Sequence, residues 1–132
     1  MAKSILVIDD NPQNISSYID PLRELYNVDV TMALSSAERM IKKKKYDLMV
    51  IDIMMPIQNL NITNELQTGL EFYRLKIEPY YPDKKILFWS NLAKDSFVKF
   101  FQNNSRNNLA FLGKDFDDNE HLFKKVKQIL GD

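Results

Sequence analysis

Ile5-Leu6-Val7-Ile8-Asp9-Asp10 is the stretch on which the reading of this chain turns. Four apolar residues run without alternation and stop at two acids. A strand buried on both faces reads this way, and such strands belong to parallel sheets covered by helices. An acid that ends the run then stands at the carboxyl end of its strand, where open α/β sheets hold ligands. Leu48-Met49-Val50-Ile51-Asp52 repeats the pattern. Three acids gathered at one mouth repel one another, and an oxygen-preferring divalent cation is the simplest counter-charge.

Three further apolar runs follow outward from these two: Val28–Met32, Ile86–Trp89 and Leu109–Leu112. Val28–Met32 alternates, as an edge strand does. Helical spacing fills the gaps. Asn11 is placed to cap a first helix with Pro12 in its first turn, and Ile15, Tyr18, Ile19, Leu22, Leu25 and Tyr26 keep its period. Pro21 predicts a kink or an early stop inside that stretch. Ser35-Ser36-Ala37-Glu38 and Thr68-Gly69-Leu70-Glu71 read as capping boxes. Ala37, Met40 and Ile41 form the inner face after the first, and Leu70, Tyr73 and Ile77 after the second. A fourth helix is expected to carry Phe97, Phe100 and Phe101. A fifth starts near Asp117 or Asp118, buries Leu122, Val126, Ile129 and Leu130, and ends at Gly131. Strand and helix alternate five times. Right-handed crossovers then predict an α/β fold, a five-stranded parallel sheet with helices on both faces.

The bulk properties narrow the function. The 132 residues are expected to form one domain, 1–132, with a long Asn-rich loop at about 56–68 between the third strand and third helix. Equal numbers of acidic and basic residues leave no net field to steer the chain to nucleic acid or an anionic membrane. The absence of cysteine removes thiolate metal sites and cysteine nucleophiles, and one histidine, His121, cannot make a two-histidine metal site. No apolar run approaches the roughly 20 residues of a membrane span, and Met1-Ala2-Lys3-Ser4 leads straight into a strand. A cytoplasmic location is therefore expected. The run Lys42-Lys43-Lys44-Lys45 is read as a solvated helix end that complements the dipole rather than a nucleic-acid patch.

In the alternating fold, Asp9, Asp10, Asp52, Ser90 and Lys114 all follow strand ends on one side and converge on one crevice. Carboxylates there supply oxygen ligands for magnesium, and a carboxylate is also a nucleophile toward phosphorus. This set resembles the receiver domain of two-component response regulators, the single-domain chemotaxis-type form of the flavodoxin-like (βα)5 fold. The matching pieces are Ile5-Leu6-Val7-Ile8 running into Asp9-Asp10-Asn11, then Asp52-Ile53-Met54-Met55-Pro56, Thr68-Gly69-Leu70-Glu71, Trp89-Ser90 and Phe111-Leu112-Gly113-Lys114. The resemblance covers essentially the whole chain.

The resemblance implies the following roles. Asp52 is the phosphoacceptor. Asp10 and Asp52 bind Mg2+ directly, Asp9 acts through water, and the backbone carbonyl of Met54 adds a ligand. Lys114 pairs with a phosphoryl oxygen, and Ser90 moves toward the phosphoryl group. Phe111 is the aromatic switch, turning inward as Ser90 shifts and changing the surface near the fourth helix and last strand. The phosphoryl donor is a histidine kinase or phosphotransfer protein, a downstream protein reads the change, and the chain is a monomer or weak dimer.

Three departures stand out. Asp115 follows Lys114 where the family usually has proline, often cis; a cis bond without proline costs roughly 3–4 kcal/mol, so a trans bond is expected. Asn91 replaces a small residue after Ser90. The segment from Asp52 to Gly69 is longer than the family norm, with the extra residues between Ile57 and Gln67. These favour a second reading, a degenerate receiver that binds partners without phosphorylation. A third, an aspartyl phosphatase, lacks its acid, because Met54 occupies the position two after the nucleophile.

Overall fold

The computed structural model describes residues 2–9, 19–52, 68–90, 107–113 and 119–132. Five strands form one parallel sheet in the order β2-β1-β3-β4-β5. They are β1 (Ser4–Ile8), β2 (Asn27–Thr31), β3 (Leu48–Ile51), β4 (Ile86–Ser90) and β5 (Leu109–Gly113). Each lies within one residue of its apolar run, and the alternating run is indeed an edge strand. The other edge is β5, whose Ala110, Phe111 and Leu112 are half-buried.

The unbroken apolar runs are explained by two separate cores. Leu6, Ile8, Met49, Ile51, Ile86 and Phe88 face one side, where α2 (Leu34–Lys43) and α3 (Thr68–Phe72) pack. Ile5, Val7, Leu48, Val50, Leu87 and Trp89 face the other, against Ile19 and Leu22 of the first helix and the terminal helix Asn119–Leu130. Successive residues of β1 thus alternate between cores although the sequence itself does not alternate. Each such side chain contributes roughly 1.5–3 kcal/mol of burial.

The early stop expected at Pro21 occurs, and several other local expectations are corrected. The chain is helical at residues 19–23, here α1, and leaves the helix two residues after Pro21. The early stop turns Leu25 outward, 48% exposed, while Tyr26 returns to the core. Ser35 is not the cap residue, because α2 already begins at Leu34 with Ala33 at the cap position. The Thr31 hydroxyl accepts the Ala33 N–H at 3.3 Å, so the turn off β2 starts the helix a residue early. Leu34 joins the inner face, and Met40 and Ile129 are only half-buried.

After Phe72 the helix widens into a π-helical turn, Tyr73–Ile77, closed by the Glu78 N–H donating to the Tyr73 carbonyl at 2.8 Å. Tyr73 and Ile77 stay buried through it, as their spacing predicts. The Tyr73 ring meets Phe88 of β4 edge-on, centroids 5.7 Å apart. The terminal helix ends in a Schellman motif. Gly131 takes φ 77°, its N–H reaches the Gln128 carbonyl at 3.3 Å, and the Asp132 N–H reaches Lys127 at 2.9 Å. The expected cap at Asn11, the helix start near Asp117 or Asp118, the fourth helix with Phe97, Phe100 and Phe101, and nearly all of the 56–68 loop lie outside the described residues.

Candidate functional site

Strand order brings Asp9 and Asp52 to adjacent strand ends. The chain leaves β1 for β2 on one side and later returns to place β3 on the other, so the crossover direction reverses between β1 and β3. In open α/β sheets such a reversal is where a ligand crevice forms, at the carboxyl ends of the strands on either side of it. Ile8 pairs with Ile51 in register, which sets Asp9 and Asp52 at the same level one residue beyond. The Asp52 N–H donates to the Ile8 carbonyl at 2.8 Å, and the Asp9 N–H donates to the Thr31 carbonyl at 3.1 Å. Both acids are therefore held by backbone bonds to the neighbouring strand. Their side chains are deeply buried, 1% exposed for Asp9 and 6% for Asp52.

The register carries the same level across the sheet. Ile51 pairs with Phe88, which sets Asp52 level with Trp89 and one residue below Ser90. Ser90 pairs with Gly113, the residue before Lys114. Phe88 pairs with Phe111, and the half-buried Phe111 ring packs against the α2–α3 core. Asp10, Met54, Asn91, Lys114 and Asp115 lie outside the described residues, as does the Lys114–Asp115 bond.

Among the described residues, which do not include Asp10, no group of three or more potential metal-ligating side chains occurs. The two acids that are described form an all-oxygen donor pair, and that donor chemistry fits a hard cation such as Mg2+. The Thr31 carbonyl was not singled out in the sequence, because a backbone acceptor leaves no residue-type signal. Lys44 of the lysine run is bonded to Asp29 at 3.1 Å, and Lys42 and Lys43 close the last turn of α2, as expected of a helix end.

The sequence profile described as Response regulator receiver domain matches residues 5–127. The chain belongs to that family. Receivers of this kind serve two-component signalling, in exchange with kinases and downstream effectors.

Solved receivers agree in fold. A CheY-like receiver domain protein from Methanospirillum hungatei is 22% identical and superposes with a TM-score of 0.78, covering 99% of this chain and 95% of that one. The response regulator TrrA from Thermotoga maritima, in complex with Mg2+–BeF, is 26% identical with a TM-score of 0.73, covering 96% and 98%. The beryllofluoride-activated NtrC4 receiver dimer is 26% identical with a TM-score of 0.75, covering 97% and 96%. No curated protein matches significantly. Among the described residues of this receiver, no helix is long and apolar enough to cross a membrane.

Proposed function

We propose that this receiver is a phosphorylation switch in which Asp52 takes a phosphoryl group from a histidine kinase or phosphotransfer protein. One observation carries the reading: Asp9 and Asp52 are buried at the same level on adjacent strand ends. Neighbouring strands lie about 4.8 Å apart. Two negative charges on adjacent strand ends repel one another. A fold that holds both acids there gains from a cation beside them.

Asp9, Asp10, Asp52 and the Met54 carbonyl would hold Mg2+, which supplies positive charge against the phosphoryl oxygens when bound. The TrrA complex with Mg2+–BeF supports that assignment by kinship. Asp52 then attacks phosphorus with a carboxylate oxygen, and the bond from phosphorus to the donor nitrogen breaks. Lys114 pairs with one phosphoryl oxygen and Ser90 donates to another. Movement of Ser90 lets Phe111 turn inward, which changes the surface beside β5 that a downstream protein reads. The chain works in the cytoplasm as a single domain, monomeric or weakly dimeric.

Trp89 is the sole tryptophan and stands level with Asp52, so its fluorescence reports on the crevice. Titration with Mg2+ gives a saturable change in wild type that is weakened in Asp9→Asn and Asp52→Asn. A flat titration in wild type would remove the metal site and the switch with it.

A further inference from the structure

The pole of the sheet opposite Asp9 and Asp52 carries a separate feature. Both α2 and the helix through the π-helical turn start near the carboxyl ends of strands and finish at the other end. Where they finish, a hollow of about 170 Å3 is lined by Glu38, Ile41, Lys42, Lys76, Tyr80 and Tyr81. Ile41 is buried, and half-buried Tyr81 packs against the core, so the floor is apolar. The Tyr80 ring is 70% exposed at the edge. Lys42 and Lys76 form the rim, each with its ammonium 3.6 Å from the same Glu38 oxygen.

The charge of this flank differs from that of the whole. Residues 38–45 and 71–78 carry seven basic and three acidic side chains, in a chain of zero net charge. The carboxyl end of α2 offsets about half a charge, and Lys44 is engaged by Asp29. A positive excess remains. The Glu38 contacts are long, and Lys42 holds its end in solvent while Glu38 and Lys76 are half-buried; a solvent-facing pair is worth only about 0–1 kcal/mol, so a competing carboxylate displaces Lys42 readily and reaches Lys76 beside it. Exposed tyrosine beside an apolar floor is the composition of an interface anchor point. The wide turn that carries Lys76 is a departure often kept at functional positions.

We propose that this hollow docks an acidic peptide segment of a partner protein. An apolar side chain of the segment rests on Ile41 and Tyr81 against Tyr80, and its flanking carboxylates take Lys42 and Lys76 from Glu38. No step of this binding involves Asp52, so its test stands apart from the phosphorylation reading.

The test pans random linear peptides displayed on phage against the intact chain, then measures the enriched peptides by fluorescence anisotropy at low and high salt. Enriched peptides are expected to hold aspartate or glutamate beside an aromatic or aliphatic residue, and their affinity falls with salt. The double variant Lys42→Glu/Lys76→Glu weakens binding about tenfold or more, and Tyr80→Ser weakens it several-fold. All three positions face solvent in whole or part, and circular dichroism checks that the variants fold. No enrichment, enrichment without acids, affinity unmoved by these variants, or tighter binding of a single-stranded oligonucleotide of equal charge would each overturn the proposal.

Discussion

Asp29 stands on the outermost strand, yet it is tied from two sides. The Tyr46 hydroxyl donates to its Oδ2 at 2.8 Å and the Lys44 ammonium at 3.1 Å, with that ammonium 5.4 Å from the Tyr46 ring centre. The Tyr46 hydrogen bond foremost, then Lys44, holds the Asp29 carboxyl below its ordinary range against partial desolvation. A depressed pKa stabilises the fold above the unfolded value, about 3.9, and that stability is lost as pH falls through the folded value. Asp29→Asn is expected to cost about 1 kcal/mol at pH 7. Urea unfolding at neutral and acid pH should show the gap between variant and wild type closing below about pH 4. A gap independent of pH would refute the assignment. Tyr26 shows the opposite sign. Burial, then its hydrogen bond to Asp132 at 2.8 Å, pushes its hydroxyl up to about 12. Its contribution is complete below about pH 10 and is lost as pH rises through about 12. Tyr26→Phe should flatten that alkaline part of the stability profile; an unchanged profile would contradict it.

Burial and backbone geometry set the costs at the scale of elements. Ile8 is fully buried in β1 and Leu25 is 48% exposed past α1. Ile8→Ala should cost roughly 2–5 kcal/mol by urea unfolding, and Leu25→Ala under about 0.5 kcal/mol. Comparable losses would mean that the turn after Arg23 is misplaced. At Gly131 an added Cβ meets nothing within 4 Å, so only the left-handed backbone resists it. Gly131→Ala is expected to cost about 1 kcal/mol, measured by thermal unfolding. The strands were legible because two-sided burial leaves an unbroken apolar run whose ends cannot drift far. Helix starts were less so. Ser35 has the residue type of a cap, but the hydroxyl that organises the turn belongs to Thr31, upstream of the box. The π-helical turn was invisible because Leu70, Tyr73 and Ile77 satisfy an ordinary helical period, and five residues are too few to separate the two phases.

The whole molecule couples the two levels. Strand order 2-1-3-4-5 is what turns acids 43 positions apart, Asp9 and Asp52, into neighbours. Their shared level was legible because each ends an apolar run, and parallel strands put such ends on one side. The hollow at the other pole was not legible, since Ile41, Lys76 and Tyr80 share no motif and meet only through the packing of α2 on the π-helical turn. The central claim is that the crevice makes Asp52 attack phosphorus. Intact mass spectrometry after acetyl phosphate treatment, with and without magnesium, tests it most directly. Wild type should gain the mass of one phosphoryl group only when magnesium is present, and Asp52→Asn should gain none; unlabelled wild type with magnesium, or equal labelling of the variant, would contradict the account.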